Sequence, residues 1–194
     1  MNIWDKKRRL MRRYDQSARA YDNQYRDEQG AKITATMDNM TVTTESVILD
    51  VGCGTGLLFN YVAKKAQFIV GTDISRALLS EAKKNAKTHQ NVTLVQSDFD
   101  NLPFRDEDFD LIFAVTVVQN APSPQVTLSE VRRVSKSNAK VIVTGLKKSF
   151  TEKEFVHTLE EANLRVESIM SDKDLKDYIC VCSKAPVKPK WRTK

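Results

Sequence analysis

The sequence predicts an α/β fold built on a doubly wound parallel sheet. Two observations carry this. From residue 47 onward, apolar runs of strand length alternate with segments of helical spacing, and the strands are continuously apolar, as strands buried on both faces are. Residues 47–56 read Val-Ile-Leu-Asp-Val-Gly-Cys-Gly-Thr-Gly, a strand feeding a glycine turn ahead of a helix, the first unit of a nucleotide-binding sheet.

The elements follow in order. Val47–Val51 is the first strand and Leu57–Lys65 the first helix. Phe68–Thr72 is a second strand closing on Asp73, and Ser75 is an N-cap candidate for a helix to about Lys87. Val92–Gln96 is the third strand. Leu102-Pro103-Phe104 and Asp106-Glu107-Asp108 make a loop before a fourth strand, Leu111–Val117. Pro122 and Pro124 break the chain before a helix over Val126–Val134, and Lys140–Thr144 is the fifth strand. Thr151 followed by Glu154 is a capping box opening the next helix. Strands near Arg165–Met170 and Tyr178–Cys182 complete the set.

Composition sets the class. At 194 residues the chain fits one domain that buries about 70% of its unfolded surface. The 41% hydrophobic and 29% charged fractions suit a soluble globular protein. No run of about 18 apolar residues predicts a membrane span, and the charged N-terminus has no secretory pattern. Three cysteines, an odd number, point to a reducing compartment and predict a cytoplasmic location. The net charge of +6 is concentrated at the ends. Residues 1–13 hold six basic side chains against Asp5, residues 184–194 hold five with no acid, and the body between is mildly acidic. Such ends suit a polyanion such as RNA, or are simply solvated termini.

The turn narrows the ligand. The dinucleotide fingerprint calls for Gly at position 57, where this chain has Leu57. Asp50 sets a carboxylate at the strand end, unfavourable for a pyrophosphate and favourable for a cationic ligand. S-adenosylmethionine carries a sulfonium and an ammonium and no phosphate, so the charge pattern favours it.

Four segments then carry a family resemblance: Asp50-Val-Gly-Cys-Gly-Thr-Gly56, Gly71-Thr-Asp-Ile-Ser75, Gln96-Ser-Asp-Phe99 with Leu102-Pro-Phe104, and Phe109-Asp-Leu-Ile-Phe113. In this order and spacing, over roughly residues 45–145, the chain resembles class I S-adenosylmethionine-dependent methyltransferases, in the broad group that includes quinone-biosynthesis enzymes (methyltransferase type 11). The resemblance implies a Rossmann-like, mostly parallel seven-stranded sheet whose last strand, Tyr178–Cys182, runs antiparallel. It also implies roles. Asp73 binds the ribose diol, or serves only as a turn and cap residue. Ile74 lies on the adenine face. Asp98 accepts from the adenine amino group with Phe99 beside the ring, or the two are a loop acid and a core aromatic. Asp50 complements the ammonium, while Gly52, Cys53 and Gly54 present backbone, Cys53 as a small turn residue.

The acceptor is less defined. Val118-Gln119-Asn120-Ala121-Pro122 should lie at the carboxyl end of the sheet beside the methyl group, with Gln119 and Asn120 orienting the acceptor or capping the strand. Neither the His pairs of quinone-type relatives nor the Asn/Asp-Pro-Pro-aromatic motif of amino-group methyltransferases is present here. Tyr14, Ala18, Tyr21 and Tyr25 share one helix face. Tyr14-Asp15 and Tyr21-Asp22 resemble the family's N-terminal cover over the cofactor, which predicts a lid over residues 1–29, a cofactor-binding domain over 30–183 and a basic flexible tail at 184–194. The alternative is an amphipathic helix packed permanently on the sheet. Cys180 and Cys182 share a strand face without a metal set around them, so core packing is expected. Two functions result: a methyltransferase acting on RNA or an RNA-associated protein, with a small metabolite as alternative acceptor, or a cofactor-binding module whose activity needs a protein partner.

Overall fold

A computed structural model describes residues 2–38 and 40–185. It opens with a 35-residue helix, α1 (Ile3–Met37), capped by Asn2, whose Oδ1 accepts from the Asp5 backbone N–H at 2.8 Å. The helix runs unbroken across position 29, and the basic residues near its start are helical. Then come β1 (Val47–Val51), α2 (Phe59–Val62), β2 (Phe68–Asp73), α3 (Arg76–Ala86), β3 (Val92–Gln96) and β4 (Phe109–Ala114). A short 3-10 turn at Val118–Asn120 leads to α4 (Pro124–Val134), β5 (Ser135–Leu146), α5 (Glu152–Glu161), β6 (Leu164–Met170) and β7 (Asp177–Lys184).

The seven strands lie in the order β3-β2-β1-β4-β5-β7-β6, with β7 antiparallel to both neighbours, as expected. Strand order reverses between β1 and β4, which opens a crevice at their carboxyl ends. Side-chain alternation sends Leu49, Val70, Ile112 and Val143 into one core with Leu128 and Val131 of α4 and Phe155 and Leu159 of α5. Ile48, Ile69, Phe113 and Ile142 enter the other with Phe59 and Val62 of α2 and Ala82 of α3. Cys180 and Cys182 are buried free thiols in the first core.

Two elements differ from expectation for visible reasons. The first helix shrinks to Phe59–Val62 because the Phe59 ring is wedged under the glycine turn. A Cβ on Gly56, at φ +79°, would lie 2.3 Å from that ring, and one on Gly71 2.7 Å from it. The flanking turns tighten to i→i+3 bonds, such as Tyr61 N to Leu58 O at 2.9 Å. The fourth strand ends at Ala114 rather than Val117. Thr116 takes a left-handed conformation, φ +63°, and its N–H donates to the Thr144 hydroxyl at 2.8 Å.

One ion pair seats α1. Lys32 Nζ lies 2.6 Å from Asp177 Oδ2, with side chains only 1% and 0% exposed. Glu28 Oε1 at 3.0 Å and Thr116 Oγ1 at 3.2 Å complete the ammonium's partners. Buried pairs need such extra bonds to offset desolvation.

Candidate active site

The glycine turn and Asp73 form one unit. Asp73 Oδ2 accepts from the Gly54 N–H at 3.0 Å and Oδ1 from the Ser75 N–H at 2.8 Å. The acid thus fixes the turn and the start of α3 together. Its lone pairs are not exhausted, since a carboxylate accepts about four hydrogen bonds. Asp50, the penultimate residue of β1, is in register with Gly71, and its side chain is buried. Burial, aided by the charge of Asp73, pushes Asp50 up to about 8. Burial also raises Asp73 to about 6, against the opposing donation of Ser75 and Gly54. Among the described residues neither acid has an ion-pair partner. Two desolvated acids therefore face a space whose one lining cation among the described residues, Arg26, is held by Asp22 at 2.6 Å, which favours a positively charged occupant.

That space has two lobes. One is walled by Asp73, Ile74, Ser97, Phe99 and Asn120, the other by Asp50, Cys53, Tyr25, Gln29 and Leu57. Gly52, Gly54, Val115 and Tyr21 line both. Helix α1 closes the top: Tyr14 and Tyr21 meet edge-on at 6.1 Å between ring centres, and Tyr21 and Tyr25 at 5.0 Å. Asp15 accepts from the Ser75 hydroxyl at 2.6 Å, and Asp22 from the Thr55 hydroxyl at 2.5 Å.

Known proteins resemble this chain in part of its sequence and in its fold. Residues 49–143 match the methyltransferase domain family. A demethylmenaquinone methyltransferase of Tropheryma whipplei is 36% identical over 102 residues, covering 53% of this chain and 42% of its own. A ubiquinone biosynthesis O-methyltransferase of Coxiella burnetii is 29% identical over 113 residues, covering 58% and 47%. The chain thus spans under half the length of these curated relatives. Among solved structures, a methyltransferase of Haloferax volcanii in complex with the Trm112 methyltransferase activator superposes with a TM-score of 0.82 at 17% identity, covering 92% of this chain and 98% of that one. An S-adenosylmethionine-dependent methyltransferase of Aquifex aeolicus gives 0.74 at 18%, covering 87% and 97%. At these identities the structures speak for the fold.

The Aquifex aeolicus neighbour is S-adenosylmethionine-dependent, and the residues present here fit that cofactor. The unpaired buried acids suit its positive charge, and Ile74 and Phe99 offer an apolar slot beside Asp73. Leu57 lines the lobe next to Asp50. Cys53 is a turn residue, its N–H donating to Thr72 O at 2.8 Å, and burial holds its thiol well above the usual range.

Two residues singled out from the sequence lie elsewhere. Asp98 does not wall the cavity; its Oδ2 is 2.6 Å from the Lys7 ammonium, and Oδ1 accepts from the Asp100 N–H at 3.0 Å. Gln119 lies outside both lobes and lines a wide groove beside them, together with Tyr14, Tyr21, Tyr25, Thr116 and Asn120. Asn120 is shared by groove and cavity, its amide nitrogen donating to Thr116 O at 2.8 Å. The sequence reading missed Lys7, which bridges Asp98 and Asp100 at 2.6 Å each with a side chain only 5% exposed. Its signal was seven-residue spacing from Tyr14 and Tyr21. Thr116 gave no signal, because its backbone conformation and its partners Gln29 and Lys32 are visible only in three dimensions.

Proposed function

We propose that this chain is a methyltransferase that binds S-adenosylmethionine in the two-lobed cavity and methylates RNA presented from the adjoining groove. The buried pair Asp50 and Asp73, neither of them ion-paired among the described residues, carries the cofactor half of this reading. Asp50 would face the ammonium, Asp73 the ribose, Ile74 and Phe99 the adenine, and the backbone of Gly52, Cys53 and Gly54 the methionine chain. Asp98 would reach the adenine amino group only with Lys7 retained as a shared partner. Residues 1–29 would form the lid, with Tyr14, Tyr21 and Tyr25 over the reacting centre, on a catalytic domain of residues 30–183.

When bound, S-adenosylmethionine supplies a methyl on a sulfonium: the acceptor's lone pair forms the new bond, the S–C electron pair stays on sulfur, and any acceptor proton leaves to solvent. The protein's part is to align the acceptor and exclude water, with Gln119 and Asn120 as orienting groups. The test is calorimetry against S-adenosylmethionine and a nicotinamide dinucleotide. Strong preference for the former is expected; equal affinities would end the reading.

A second reading is favoured by the relatives' names, which are those of quinone-biosynthesis enzymes acting on small molecules. The likeness to a methyltransferase complexed with an activator also supports a need for a protein partner. Labelled cofactor incubated with separated RNA, protein and metabolite pools, with and without cell extract, separates these acceptors and exposes partner dependence.

A further inference from the structure

We infer that the groove beside the cofactor cavity holds one unpaired nucleotide of the acceptor, its base edge on Gln119 and its phosphate on the lysine rim. This deepens the proposed methyl transfer and rests on it. The first observation is continuity: Tyr14, Tyr21, Thr116 and Asn120 line both the cavity and the groove, so an acceptor in the groove abuts the cofactor.

The second is an unmet demand. Both amide atoms of Gln119 are buried, and neither has a hydrogen-bond partner among the described residues. Leaving such atoms unpaired costs about 1–3 kcal/mol each, so the side chain is suited to a ligand. A Gln amide offers one donor and one acceptor side by side, the complement of a nucleobase edge. Simple carboxylates or hydrocarbons do not match both.

The third is charge. Arg13, Lys147, Lys148, Lys173 and Lys176 line the groove against Glu28 as the single acid. Glu28 is already held by Lys32 at 3.0 Å and Lys176 at 2.7 Å. Lys147 donates to the Ser171 and Asp172 carbonyls at 3.1 and 2.7 Å and has no carboxylate within ion-pair distance among the described residues. Arg13 lies 5.3 Å over the Tyr14 ring, and exposed Arg9 and Arg12 continue the positive track along α1. Tyrosine faces flanked by cations are the recognition mode of single-stranded nucleic acid, in which bases stack on aromatic rings and phosphates follow the basic rim. An RNA duplex would keep its base edges from Gln119.

The test is anisotropy of the full chain, saturated with S-adenosylmethionine, against labelled single-stranded RNA, the same sequence as a duplex, mononucleotides and an acidic peptide. Single strands should bind best. In Lys148→Glu/Lys173→Glu, affinity should fall at least tenfold, and the slope of log affinity against log salt should shrink by about 1.4, two contacts' worth. Gln119→Leu, close to isosteric, should flatten the preference among homopolymer RNAs while keeping the salt slope. Equal or better binding of duplex, mononucleotide or peptide, or unchanged binding by the lysine variant, would overturn the inference. Calorimetry of S-adenosylmethionine on the same samples keeps the two readings apart. Retained cofactor affinity without RNA binding sinks only the nucleotide site; lost cofactor affinity sinks the methyltransferase reading itself.

Discussion

Two adjoining compartments of this protein carry opposite charge. The candidate cofactor cavity gathers buried acids at the carboxyl ends of β1 and β2, with Arg26 at its edge paired to Asp22, while the groove on the far side of Tyr21 gathers cations from α1 and from the loops after β5 and β6. The contrast teaches how one crevice can sort two ligands. Under the proposed function a cationic cofactor would be drawn to Asp50 and Asp73 and repelled by the lysines, and an anionic acceptor would meet the reverse. Helix α1 is the wall between them, because Tyr14 and Tyr21 belong to both sides.

The largest effect should come from unseating that wall. Asp177→Ala leaves the Lys32 ammonium buried without its carboxylate, a loss of about 3–5 kcal/mol in unfolding free energy. Urea denaturation measures it. A change below 1 kcal/mol would mean that Glu28 and Thr116 alone hold Lys32.

Next comes the acid itself. Asp50→Asn keeps the shape and removes the charge, so S-adenosylmethionine affinity should drop by about 1.5–3 kcal/mol. The unliganded protein should respond in the opposite sense. With Asp50 raised from 3.8 to about 8, the native state binds more protons than the unfolded chain throughout that window. This group therefore subtracts stability as pH rises from about 4 to about 8. Asp50→Asn should remove that decline, making the variant relatively more stable at pH 8, and cofactor affinity of the parent should increase with pH up to about 8. A parent whose affinity is flat over pH 6–8 would show that Asp50 is ionised before the ligand arrives.

Lys7→Ala should act more locally. It frees Asp98 and Asp100 from their shared cation, so hydrogen exchange over the first four turns of α1 should accelerate while the sheet keeps its protection. If cofactor slows exchange in that segment of the parent, α1 behaves as a closing lid; equal protection with and without ligand would mark it as a permanent strut.

The difference between the compartments also explains what the sequence disclosed. Asp50, the glycines, Asp73 and Ile74 were legible because chain order sets them: a strand delivers each to the same edge, and the turn needs residues of one type. The groove assembles from separate stretches at 13–29, 116–120, 146–149 and 173–176. No spacing rule links those stretches, so nothing in chain order joins Lys147 and Lys148 to Lys173 and Lys176. Asp98 shows the same limit from the other side. Its motif placed it beside the adenine, while Lys7, ninety-one positions earlier, claims one of its oxygens. The C-terminal positive residues from 186 onward lie outside the described residues, and Lys184 is paired with Glu107 at 2.9 Å.

The smallest predicted change concerns the corner where the compartments meet. Thr116 sits at φ +63°, a conformation that costs a β-branched residue about 1–3 kcal/mol. Its hydroxyl is within hydrogen-bonding distance of Gln29 Nε2 at 3.1 Å and Lys32 Nζ at 3.2 Å, and its carbonyl accepts from Asn120. Thr116→Gly relieves the strain, adds about 0.5–1 kcal/mol of backbone entropy to be lost on folding, and gives up hydroxyl contacts worth about 0.5–1.5 kcal/mol each. These terms nearly cancel, so unfolding free energy should change by less than about 1 kcal/mol. The functional readout should not cancel, because Gln29 and Asn120 lose their shared reference point. Turnover should fall while S-adenosylmethionine affinity stays within a fewfold, and hydrogen exchange over residues 25–33 should rise. Thr116→Asn, which tolerates the left-handed conformation and keeps a polar group, should recover part of the turnover. If Thr116→Gly matches the parent in turnover and exchange, the strained corner is a by-product of ending β4, and α1 is positioned by Lys32 and Asp177 alone.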